Sequence, residues 1–182
     1  EVESGKSATA PSVAARAGYT FAGWDKAFTS VTSNLTVTAQ YTAKDGASYI
    51  ALNAAIAEAV TLKEAEYTAT TWSSVQTALT AAKGVDKNLY TEDQNIIDAA
   101  TTALTNAMNA LVNVYTVTFV DYNGSVLNSE KVESGKSATA PTAATGAGFT
   151  FAGWEKAVTR VTSNLTVTTQ YTPKDGASYT AL

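Results

Sequence analysis

Two carboxylates bracket a turn in the stretch Tyr115 to Glu130, YTVTFVDYNGSVLNSE. Asp121 and Glu130 are the residue types that glycoside hydrolysis uses as acid and base or nucleophile, provided the fold sets them a fixed distance apart. On a hairpin such charges more often simply keep the turn in water, and that is the reading favoured for this pair. Glu92 and Asp93 suit the first turn of a helix, where the dipole favours negative charge. Trp24, Trp72 and Trp154 could form a sugar-stacking platform, yet each stands at an apolar position of its own pattern, so core packing is expected. Tyr67, Tyr90 and Tyr122 fall outside the apolar stripes and are the candidate exposed aromatics. Asn34-Leu35-Thr36 and Asn164-Leu165-Thr166 match a glycosylation acceptor and are read as turns running into strands. Lys136 and Lys174 are candidates for an isopeptide bond only if a buried carboxylate lies beside them, and nothing in the strand patterns supplies one.

Composition removes much other chemistry. The chain has 182 residues with no cysteine and no histidine. Disulfides, zinc–thiolate sites and the commonest general base are excluded. No calcium loop of the Asp-x-Asp-x-Asp-Gly type occurs. The net charge is −4 and the 12 Lys and Arg are scattered, which argues against nucleic acid and against an anionic membrane surface as partners. No apolar run reaches the length of a membrane span. The expectation is no catalytic residue, no cofactor and no metal.

The strongest feature is a duplication. VESGKSATAP occupies residues 2–11 and again 132–141, and at a constant offset of 130 residues 1–52 match 131–182 at 40 of 52 positions. A repeat of this kind decides the architecture. Its period is too long for a solenoid turn, so each period should hold complete small domains.

The elements follow from periodicity. Tyr115, Val117 and Phe119 alternate with Thr116 and Thr118, as in a half-buried strand. Asn123-Gly124 is a hairpin signal, and a second strand is expected near Val126 to Val132. Tyr19/Phe21 and Phe149/Phe151 each lie on one face of a short strand. Leu35, Val37 and Tyr41, with Leu165, Val167 and Tyr171, mark a last strand in each copy. Residues 47–113 switch to helical period. Helix one is expected over 48–62 with Leu52, Ile56, Ala59 and Val60 inward. Helix two runs from Thr70 or Thr71 to Lys83, with Trp72, Val75, Leu79 and Ala82 inward and Gly84 as the stop. Helix three opens with Thr91 and Gln94 as a capping box and buries Ile96, Ile97, Ala100, Leu104, Ala107, Met108 and Leu111. The joints are short, so neighbours should touch, with Asp45-Gly46 and Asp175-Gly176 as bend points.

Two resemblances follow. Val132 to Gly135, Pro141, Gly148-Phe149-Thr150-Phe151-Ala152-Gly153-Trp154 and Leu165 to Tyr171 resemble the Listeria–Bacteroides repeat of Gram-positive surface proteins, a β-grasp-like unit; residues 1–42 carry its later two-thirds. Tyr67-Thr68, Thr71-Trp72 and Asp98-Ala99-Ala100 through Leu104 and Ala107 are similar to the FIVAR ("found in various architectures") three-helix module. The resemblance implies an α+β multidomain chain: an incomplete β-grasp-like repeat at 1–44, an antiparallel three-helix bundle at 45–113, a complete repeat at 114–173, and the start of the next helical module at 174–182. It implies parallel pairing of the first and last strands of the complete repeat. The functional expectation is a non-catalytic spacer of a large secreted protein at the bacterial cell surface, associated with the cell wall, whose partners are neighbouring repeats. A glycan- or host-protein-binding module is the alternative. Residues 1–44, lacking a hairpin, should show an open sheet edge apt for strand exchange, completed by a symmetry mate or swapped element or by an upstream segment.

Overall fold

The protein is described by a computed structural model over residues 1–143 and 148–174. Apart from Lys174, the segment expected to begin a further helical module, with its Asp175-Gly176 bend, lies outside the described residues.

Among the described residues the chain is α+β, with three α-helices and two small sheets. Strands β1 (Tyr19–Trp24) and β2 (Ala39–Ala43) form an antiparallel pair. Helices α1 (Ile50–Ala59), α2 (Ala69–Lys83) and α3 (Gln94–Asn109) follow. Strands β3 (Val114–Val120), β4 (Val126–Glu133), β5 (Phe149–Trp154) and β6 (Leu165–Pro173) make the second sheet, in the order β4-β3-β6-β5. As expected, β3 and β6 run parallel, from Val117 opposite Leu165 to Val120 opposite Thr168.

The helices share one core. Leu52, Val75, Ala82, Ile97 and Leu104 are buried at its centre, with Ala55, Ala59 and Leu79. Their spacing along α2 and α3 is the three-and-four step of a single helical stripe. Ile96, expected inside, is 48 % exposed. It adjoins Ile97, and one residue turns a helix by about 100°, so only one of the two can face in. Val60, also expected inside, is 56 % exposed because α1 ends at Ala59. The Thr91–Gln94 capping box does not form. Thr91 to Asp93 make a 3-10 turn, and both Thr91 and Gln94 bond to the segment before α1 instead. Gly84 does end α2, in right-handed conformation.

The second sheet carries its own core of Val117, Phe119, Val132, Val161 and Val167. Trp154 packs edge-on against Phe119 at 4.9 Å. The β3–β4 hairpin turns differently from the two-residue Asn-Gly loop the sequence suggested. Gly124 N–H donates to Asp121 O at 2.9 Å, and Gly124 alone of that pair takes positive φ, at 83°. This is a longer loop with glycine in the left-handed position. A bulge interrupts β5 between Phe151 and Gly153, and its twin lies between Phe21 and Gly23. The two bulge glycines have φ of 137° and 119°, where a side chain would be strained.

The two copies diverge where their sequences agree. Leu165-Thr166-Val167-Thr168 is strand, but the identical Leu35-Thr36-Val37-Thr38 is irregular, and β2 begins only at Ala39. The strand expected from Leu35 is thus shortened. In the second copy those residues bond to β3, and the first copy has no such strand beside it among the described residues. Threonine and β-branched residues fit a pleated surface, but that preference needs neighbours to act on.

Candidate functional site

The hairpin carboxylates serve the fold separately. Asp121 Oδ1 accepts from the Thr169 hydroxyl at 2.7 Å, the Tyr122 N–H at 2.9 Å and the Tyr171 hydroxyl at 3.1 Å. The Thr169 bond, helped by those from Tyr122 and Tyr171 and opposed by partial burial, holds the Asp121 carboxyl below its ordinary range. Burial, with the bond to Asp121, raises Tyr171. Glu130 instead accepts from the Thr139 backbone N–H. One carboxylate therefore ties the hairpin to β6, while the other ties β4 to the following loop. Thr169 was not singled out by sequence reasoning, although it marks one of the twelve differences between the copies, standing where the first has Ala39. It is buried, at 5 % exposure.

The other candidates are likewise assigned by their surroundings. Asn164 Oδ1 accepts from Thr116 N–H at 2.9 Å, fixing the entry of β3 next to β6. Tyr67 stacks on Trp72, with ring centres 6.2 Å apart and planes 2° from parallel. Tyr67 and Tyr90 are half-buried and only Tyr122, at 54 %, is exposed. Lys136 and Lys174 are exposed. Among the described residues no group of three His, Cys, Asp or Glu is placed to hold a metal.

Both joints between helices and sheets are built from backbone hydrogen bonds. Ahead of α1, Thr91 N–H donates to Asp45 O at 2.9 Å, Ala47 N–H donates to Leu89 O at 3.0 Å, and Gly46 bridges to Tyr90. The Gln94 amide receives Ser48 N–H at 2.8 Å and donates to Ser48 O at 3.0 Å. Asp45-Gly46, expected to bend, is thus pinned at several points. The Lys44–Glu92 ion pair lies over the same joint; its hydrogen bond raises the Lys44 pKa and lowers that of Glu92. After α3, Thr68 N–H donates to Val112 O at 2.9 Å, Ser134 N–H donates to Asn113 O at 2.8 Å, and Tyr67 bridges to Asn113. Lys131 Nζ reaches Ala65 O at 2.9 Å across this joint. A groove of about 720 Å³ runs alongside, lined by Glu64, Tyr67, Val114, Lys131 and Glu133 among others.

The first copy presents a different surface. A cleft of about 500 Å³ is lined by Val2, Ala8, Phe28, Val31, Leu35 and Val37 together with polar neighbours including Asn34. A smaller one of about 140 Å³ adjoins it at Ala8, Pro11, Trp24, Phe28 and Val37. Val2 is 41 % exposed and Leu35 43 %.

These features define a duplicated β-unit joined without slack to a helical unit, with one copy closed over its core and the other open. The chain belongs to the Listeria-Bacteroides repeat domain family, whose model matches residues 1–49 and 115–178 and so more than half of the sequence. Repeats of this family are typical of bacterial surface proteins. No curated protein and no solved structure matches the chain. No helix among the described residues is long and apolar enough to cross a membrane.

Proposed function

We propose that the chain is a non-catalytic spacer in a repetitive, secreted protein of the bacterial cell wall, holding other parts of that protein away from the cell. The observation that carries this reading is the pair of joints. Backbone hydrogen bonds at Asp45–Thr91, Ala47–Leu89, Thr68–Val112 and Ser134–Asn113 leave no free linker between helices and sheets. Such joints transmit orientation, which a spacer needs and a tethered binding module does not. In this reading the sheet of residues 114–173 is a β-grasp-like unit and the helices form a FIVAR-like antiparallel bundle. The parallel β3–β6 pairing supports a mechanical role. The start of β3 and the end of β6 lie at opposite ends of that pair, so tension along the chain shears the Val117–Leu165 to Val120–Thr168 ladder as a whole.

Single-molecule stretching between residues 114 and 173 tests this. A distinct, resistive unfolding event for the second sheet is expected, and extension at negligible force would remove the mechanical reading. The alternative is a glycan- or host-protein-binding module, favoured by the groove beside Tyr67 and Lys131. A saturable hit on a glycan array or in a serum pull-down, lost on Lys131→Ala, would replace the spacer with that reading.

A further inference from the structure

The two joints decide which parts of the helical unit carry tension. The chain arrives from β2 at Lys44 and leaves α3 for β3 through Val112 and Asn113. Ahead of α1, residues 45–47 lie antiparallel to residues 89–91 about the Gly46–Tyr90 bridge. Thr91 N–H donates to Asp45 O and Ala47 N–H donates to Leu89 O. The Thr91 hydroxyl adds a bond to Asp45 O at 3.1 Å, and the Gln94 side chain adds two to the Ser48 backbone. This neck ties the incoming chain directly to the start of α3. At the far end, Thr68 and Tyr67 attach the start of α2 to Val112 and Asn113 from the side. The shortest bonded route from β2 to β3 therefore runs through the neck and along α3. Residues 49–88, with α1 and α2, form a closed loop beside that route.

The neck and the second sheet meet tension in opposite geometries. Asp45 sits beside Thr91, so the points where load enters and leaves the neck lie at the same end of an antiparallel pair. Pulling there opens the pair from its mouth, Asp45–Thr91 before Ala47–Leu89, each bond bearing the load in turn. The Lys44–Glu92 ion pair lies across this mouth, and an exposed pair adds little. β3 and β6 run parallel and are loaded at opposite ends, so the bonds from Val117–Leu165 to Val120–Thr168 must fail together. Once the neck is open, α1 and α2 are held to α3 mainly by apolar packing around Leu52, Val75, Ile97 and Leu104, which is non-directional.

We propose that the neck is a force-released latch and that the helical unit behind it is a reserve of length. Closed, the latch passes tension from β2 into α3 and leaves residues 49–88 unloaded. Opened, it lets residues 45–113 unfold and lengthens the chain by roughly 200 Å before the second sheet gives way. The contacts within the helical unit are short-range, so it re-forms quickly when tension falls. The use of such a latch rests on the spacer reading; the order of opening follows from the topology alone.

The test stretches the full chain between Ala43→Cys and Pro173→Cys, in a sequence that has no other cysteine. The helical unit and the second sheet then lie in series. Two events are expected: one at lower force that adds roughly 200 Å, then one at higher force for the sheet. Gln94→Ala removes two neck bonds and should lower the first force while leaving the second unchanged. Leu52→Val trims the core of the unloaded loop and should lower the thermal stability of the helices without changing the first force. Ala54→Gly, exposed on α1, weakens that helix through its backbone alone and repeats the comparison with the core intact. A first force that falls with Leu52→Val and Ala54→Gly but not with Gln94→Ala overturns the proposal, because α1 would then be bearing load. A sheet that resists with no earlier helical event overturns the latch alone. A sheet that yields without resistance overturns the spacer's mechanical reading and the latch with it.

Discussion

Truncating Phe119 to alanine should turn the closed copy into an open one. Phe119 is fully buried, with Val117, Val132, Val161 and Val167 around it and the Trp154 ring 4.9 Å away. Removing a buried phenyl ring costs about 3–5 kcal/mol, through lost transfer energy and the cavity left behind. A unit the size of residues 114–173 commands roughly 3–9 kcal/mol at the usual 0.05–0.15 kcal/mol per residue. The loss therefore consumes from about a third to the whole of that unit's stability. The expected result is regional. In hydrogen exchange, amides of Leu165–Thr168 should fall toward the low protection expected of Leu35–Thr38 in the unaltered protein. Amides around Leu52, Ile97 and Leu104 should keep theirs, because they belong to a separate core. Two outcomes would refute the reasoning. If Leu165–Thr168 stay protected while β3 opens, β3 does not organise β6. If the helical amides lose protection equally, the two cores fold as one unit.

Other perturbations probe the remaining contacts. Asp121→Ala should flatten the acid limb of the second unit's stability curve. Because the folded pKa is lowered, the contribution of this carboxylate is present above about pH 3.9 and fades as pH falls through the lower folded value; chemical denaturation across pH reads it. Gly153→Ala should destabilise the second unit by about 1–3 kcal/mol, through backbone strain at φ 137° alone, since an added Cβ meets nothing within 4 Å; the denaturation midpoint checks it. Tyr49→Phe should cost the helical unit about 1–3 kcal/mol, because the hydroxyl donates to Asp86 O at 2.6 Å and accepts Leu89 N–H at 3.1 Å; helical thermal melting measures it.

What could be read from the sequence was whatever depends on local pattern. The stripe of Val75, Leu79 and Ala82, the alternation through Val117 and Phe119, and the family motif about Gly153-Trp154 all reappear in the structure. Three of the differences, unlike those at Ile96 and Val60, share a cause: each was decided by a partner distant in the chain. Thr91 and Gln94 have the spacing of a capping box, but Asp45 O and the Ser48 backbone compete for their side chains and win. Asp45-Gly46 looks like a hinge until Leu89 to Thr91 are placed beside it. Asp121 reads as a solubilising charge beside a turn; Thr169 and Tyr171, respectively 48 and 50 residues further on, make it a strut. Nothing in the local spelling of Asp121 announces either partner. The substitution of Thr169 for Ala39 between copies was the available signal.

The internal duplication separates local from distant causes within one molecule. Leu-Thr-Val-Thr at 35–38 and at 165–168 is the same peptide, preceded in each case by Val-Thr-Ser-Asn. If strand formation were carried by these residues, both would be strands. Only the one flanked by β3 is. The governing contact joins residues 48 apart, as Thr116 and Asn164 show, so its loop must be closed before the pairing stabilises anything. The helical unit is richer in short-range contacts and should form first on folding, with the β-unit closing later.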